Sequence, residues 1–108
     1  VSHVTTHVLD SVLGRPAQGI AVSLYDLDGA SLANGVTDAD GRISDLGPEA
    51  LPLGEYTIVF ETGIYFLATG TDTFYPRVTI DFEVTDAAAH YHVPLLLSPF
   101  AFSTYRGS

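Results

Sequence analysis

Arg77-Val78-Thr79-Ile80-Asp81-Phe82-Glu83-Val84 is the stretch that decides the fold class. Val78, Ile80, Phe82 and Val84 alternate with Thr79, Asp81 and Glu83. Side chains on a strand point to opposite faces in turn, so this period of two puts one apolar face on a core and one polar face in water. Pro76 stands just before it and cannot continue a ladder. Upstream, Glu55 to Glu61 (EYTIVFE) repeats the signal after Leu53-Gly54. Ile20 to Tyr25 is a third strand, and Asp28-Gly29 turns it into a fourth, Ser31 to Thr37. Val4 to Leu9 opens the chain and ends at Gly14-Arg15-Pro16. His90 to Leu97 and Phe100 to Arg106 close it, joined by Ser98-Pro99. A short strand or loop follows Asp38-Ala39-Asp40-Gly41. Strands this short, punctuated by Gly, Pro and Asp, predict an all-β sandwich of about eight strands.

Only Thr62 to Gly70 (TGIYFLATG) breaks the pattern. Ile64, Leu67 and Ala68 recur at helical spacing. One short helix is expected there, with Thr62 as N-cap and Gly70 as C-cap.

With 108 residues the chain suits a single domain, residues 1–108. It is 46% hydrophobic, so a core is available. Four Arg, no Lys and 13 acids give a formal charge of −9, which argues against nucleic acid or an anionic membrane surface as partner. No apolar run reaches the length of a membrane span, and no basic-then-apolar leader is seen. With no Cys, thiolate nucleophiles and cysteine-based zinc sites are excluded. The expected location is cytoplasmic, with export to the periplasm left open. The chain opens on Val1 rather than Met, so the expectation is a start inside a longer sequence or a trimmed end.

The four histidines form two pairs, His3 with His7 and His90 with His92. By strand parity His3, Thr5, His7 and Leu9 share a face, as do His90, His92, Pro94 and Leu96, and also Ala101, Ser103 and Tyr105. His-x-His spacing can chelate zinc, but no carboxylate ligand stands beside it, and no resident metal or other cofactor is expected. Asp38-Ala39-Asp40-Gly41 opens like a calcium loop. Arg42 and Ile43 then stand where an oxygen ligand and a glycine belong, so it reads as a turn. No Gly-x-Ser-x-Gly elbow and no phosphate-cradling loop occurs. What remains is imidazole, guanidinium and phenol, including the unusual ending Tyr105-Arg106-Gly107-Ser108. Those groups suit hydrolysis with water as nucleophile and a planar polar substrate.

Thr6-His7-Val8-Leu9-Asp10, Gly14-Arg15-Pro16-Ala17 and Thr37 to Arg42 carry a resemblance that runs over essentially the whole chain. So do Gly63-Ile64-Tyr65-Phe66, Phe74-Tyr75-Pro76, His90 to Pro99 and Ser103 to Ser108. The sequence resembles the transthyretin-related 5-hydroxyisourate hydrolases. His7, Arg42, His92 and the Tyr-Arg-Gly-Ser ending set these hydrolases apart from the hormone-carrying transthyretins. The resemblance implies a transthyretin (prealbumin)-like sandwich of two four-stranded sheets with one short helix. It also implies a homotetramer, a dimer of dimers, with active sites between the dimers at the mouths of a central channel. The implied reaction opens 5-hydroxyisourate to 2-oxo-4-hydroxy-4-carboxy-5-ureidoimidazoline in urate degradation. On that pattern His92 is the general base, His7 orients water or substrate, and Arg42 holds the urea-like edge or the oxyanion. Tyr105 contacts the ring, and Arg106, Gly107 and Ser108 shape the rim. The alternative is a carrier of small ligands without turnover. A sandwich of this size spends its interior on packing, so a deep site is expected between subunits rather than inside one.

Overall fold

The computed structural model describes residues 2–108. Nine strands and one helix follow in chain order: β1 (Val4–Asp10), β2 (Arg15–Pro16), β3 (Ala21–Asp26), β4 (Ser31–Val36), β5 (Arg42–Ile43), β6 (Gly54–Phe60), α1 (Thr62–Ala68), β7 (Val78–Val84), β8 (Tyr91–Leu97) and β9 (Phe102–Thr104). β3, β4, β6 and β7 form an antiparallel sheet in the order β4-β3-β6-β7. The other sheet runs β2-β1-β8-β9, with β5 also on β1. β1 and β8 are parallel, in the register Val4↔Tyr91 to Asp10↔Leu97.

This is the expected all-β sandwich with one short helix. The second sheet gains a fifth strand because two-residue strands count: Arg15-Pro16, read as a turn, pairs with Asp10 and Leu9, while Arg42-Ile43 pairs with His7 and Thr6. The last strand is shorter than the alternation implied. Pro94 has no N–H, and the regular ladder to β9 ends at Leu95↔Thr104 before closing again at His92↔Gly107. The Thr104 hydroxyl donates to the Pro94 carbonyl, 2.7 Å away, at the gap.

The alternating apolar sets face each other between the sheets. Val8 and Leu95 from one side meet Leu24, Ile58 and Phe60 from the other in a single buried cluster. Outward on the β1–β8 sheet lie His7, Leu9, His92 and Leu96, all partly exposed. Parity therefore places one set of side chains in the core and delivers the imidazoles to the opposite face.

The helix differs from expectation at its caps, with Thr69 rather than Gly70 closing it. Its N-cap is Glu61, with no side-chain cap, and Thr62 lies inside the helix with its buried hydroxyl unpartnered. Ile64 and Leu67 are 65% and 78% exposed, while Phe66 is 2% exposed. Three ties fix this rotation. Gly63 lies so close to Pro76 that a Cβ would come within 2.5 Å of the Pro76 oxygen. Phe66 enters the core, and the Tyr65 hydroxyl donates to Asp10 Oδ2 at 2.8 Å.

Candidate active site

The outer face of the β1–β8 sheet gathers residues from four separate stretches. Arg42 reaches it through a built turn. Asp38 Oδ1 accepts from the Asp40 and Arg42 amides at 2.9 and 3.0 Å. Gly41 has φ +72°, and the Val8 amide donates to its carbonyl at 2.7 Å. A Cβ on Gly41 would stand 2.3 Å from the Val8 oxygen, so both φ and space require glycine. The calcium-like loop is thus a turn whose product is register: Arg42 pairs directly with His7.

His92 lies one strand over, opposite Thr5. Gly107 bridges to it from the other side, its amide donating to the His92 carbonyl at 2.9 Å. Gly107 has ordinary φ, but a Cβ there would come within 2.5 Å of His92 Cδ2. Glycine is required because the terminal backbone lies against the imidazole. A cavity of about 240 Å³ opens here, lined by Thr5, Arg42, Ser44, His90, His92 and Ser108.

Burial lowers the His92 pKa below the ordinary 6.5, helped by Arg42, His7 and His90 nearby. At neutral pH this imidazole is uncharged and able to take a proton. Arg42 and Ser108 are exposed, so in one chain the site is an open face rather than a closed pocket.

The structure therefore brings His7, Arg42, His92, Gly107 and Ser108 together. Tyr105 and Arg106 sit differently. They line an adjoining cavity of about 350 Å³ that includes His92 and reaches Ile80 and Phe82 on β7. The Arg106 guanidinium lies 4.5 Å from the centre of the Tyr91 ring. This is a cation–π contact between the guanidinium and the phenol ring. Among the described residues the one ion pair joins Arg77 to Glu61.

His3 does not share the outer face. It is buried, donates from Nε2 to the Ala89 carbonyl at 2.7 Å and accepts the Leu51 amide at Nδ1 at 2.8 Å. It precedes β1, so strand parity does not govern it. Thr5, which sequence reasoning did not put in the site, bridges His90 Nε2 and His92 Nδ1, 2.8 Å from each. Its signal was its parity with His7. Among the described residues no three His, Cys, Asp or Glu side chains converge as a metal-ligand set.

A family model described as HIUase/Transthyretin family matches residues 4–107. The chain belongs to that family. Among its relatives, a 5-hydroxyisourate hydrolase of Salmonella dublin is 45% identical, covering 97% of this chain and 80% of that protein. The solved 5-hydroxyisourate hydrolase of Klebsiella pneumoniae superposes with TM-score 0.90 at 43% identity, over 97% of this chain and 92% of that one. Sea bream transthyretin in complex with thyroxine superposes with TM-score 0.90 at 33% identity, over 96% and 93%. HIUase/Transthyretin family members thus share this sandwich across differently named activities, and the fold alone does not choose between them.

Proposed function

We propose that this chain is an enzyme, a hydrolase that opens 5-hydroxyisourate by addition of water to a lactam carbonyl. The observation that carries the reading is the meeting of His7, Arg42, His92 and Gly107 on one sheet face through strand register. The names of the hydrolase relatives support it.

His92 takes a proton from water as the water oxygen attacks the carbonyl carbon. Its lowered pKa keeps it neutral and available. His7, paired with Arg42, orients the water or the substrate edge. Arg42 faces the developing oxyanion with its planar fork of donors. The carbon–nitrogen bond then breaks, and the proton held by His92 passes to the leaving nitrogen. The product is 2-oxo-4-hydroxy-4-carboxy-5-ureidoimidazoline. Tyr105 and Arg106 contact the substrate from the adjoining cavity, and Gly107 and Ser108 form the rim. The working species is a homotetramer, a dimer of dimers, in which another subunit covers the open face.

The test generates the substrate from urate with uricase and follows the ultraviolet decay of the intermediate. The expected result is decay faster than the spontaneous reaction, with His92→Ala lowering kcat by about 10²–10⁴-fold. Binding without faster decay overturns the hydrolase and leaves the carrier.

A further inference from the structure

We propose that Thr5 and His90 are positioning residues that fix the tautomer of His92, holding its proton on Nδ1 so that Nε2 presents a lone pair to the site. This rests on the assignment of His92 as the base.

Thr5 Oγ1 is 2.8 Å from His92 Nδ1 and 2.8 Å from His90 Nε2. Thr5 is buried, so water does not compete freely for its hydroxyl. A hydroxyl has one proton to give and lone pairs to receive. Between two imidazole nitrogens it must donate to one and accept from the other. Only two arrangements satisfy all three groups. In the first, His92 Nδ1–H donates to Thr5, and Thr5 donates to His90 Nε2. In the second every bond is reversed, and His92 carries its proton on Nε2.

The surroundings choose the first. Arg42 lines the same cavity as His92, and its cation disfavours a further positive N–H dipole turned into that cavity. A lone pair on Nε2 is the better neighbour for a guanidinium. At the far end His90 is exposed, so water satisfies its Nδ1 in either form. The bias at the Arg42 end therefore sets the whole chain of bonds. His90 is the acceptor that draws the hydroxyl proton away from His92. The same hydroxyl still accepts from Nδ1–H after Nε2 has gained a proton, so the ring keeps its orientation through proton uptake and return.

The distinctive consequence concerns His90, an exposed residue at the cavity wall to which the mechanism gives no step. Without His90, the Thr5 hydroxyl loses its acceptor and is free to donate to His92 Nδ1, so only the Arg42 bias is left and the Nε2–H form, which cannot act as base, gains population. The test is ¹⁵N–¹H correlation of the ring nitrogens in the full-length protein at pH 7.5, with kcat and KM measured alongside. Wild type should show His92 protonated on Nδ1. His90→Ala should shift the population toward Nε2–H and lower kcat about tenfold, the worth of one net hydrogen bond to the reacting group, with KM little changed. Thr5→Val should lower kcat similarly, and Thr5→Ser should restore both spectrum and rate.

A wild-type spectrum with the proton on Nε2 overturns the proposal. So do His90→Ala and Thr5→Val proteins that keep both the wild-type tautomer and the wild-type rate. Failure of the base assignment looks different: His92→Gln turns over normally, while the tautomer shift in His90→Ala still reports on the hydrogen-bond chain.

Discussion

Gly107 shows most directly how one residue controls the site. Its amide is tied to the His92 carbonyl, and a methyl group at its Cα would overlap the imidazole. Neither the ring nor the bonded backbone can give way without losing a contact. Gly107→Ala is therefore expected to leave the thermal unfolding midpoint close to wild type and to lower kcat at least about tenfold, since misplacing a reacting group is costly. A variant with full turnover would show that the His92 position is not critical. His92 also predicts a pH dependence. Its folded pKa lies below 6.5, through burial first and then Arg42. Between that lowered value and 6.5 the unfolded chain binds more protons, so stability falls as pH falls through this window. The acid limb of kcat/KM should likewise lie below pH 6.5. A limb above 6.5 would contradict the assignment.

Among the elements, α1 is tied to the β1–β8 sheet through the carboxylate of Asp10. Asp10 is buried at the end of β1 and accepts the amides of Val12 and Leu13 as well as the Tyr65 hydroxyl. Burial, then the bond to Asp10, pushes the Tyr65 pKa up to about 12. The phenol thus stays protonated and keeps donating. Above pH 10 the unfolded chain releases this proton first, so stability is lost as pH rises. Tyr65→Phe should cost roughly 1–2 kcal/mol in urea unfolding and should weaken the alkaline loss. An unchanged midpoint would mean that Phe66 and Gly63 hold the helix alone. Helical spacing located this helix, yet Ile64 and Leu67 face solvent. In a seven-residue helix, three tertiary ties outweigh a short apolar stripe.

At the scale of the molecule the site is an open surface. Arg42, Tyr105 and Ser108 are exposed, and the cavities beside His92 open outward. If another copy completes the cleft, specific activity should fall on dilution in step with dissociation measured by analytical ultracentrifugation. Constant turnover in a preparation shown to be monomeric would refute the shared site. No helix among the described residues is long and apolar enough to cross a membrane.

Alternation in Arg77 to Val84 and Glu55 to Glu61 settled the strands, and the same parity grouped His7 with Thr5 and Leu9, and His92 with Pro94 and Leu96, because side-chain direction along a strand is a local property. The turn at Asp38 to Gly41 was equally legible from its Asp and Gly. Strand neighbours were not, since pairing joins residues far apart in the chain and depends on how the whole sandwich closes. Only the folded molecule decided that Arg42 stands opposite His7, that Gly107 lies against His92 and that Arg106 turns to Tyr91. It also decided that Thr5 joins His90 to His92, a contact set by the parallel register of β1 and β8.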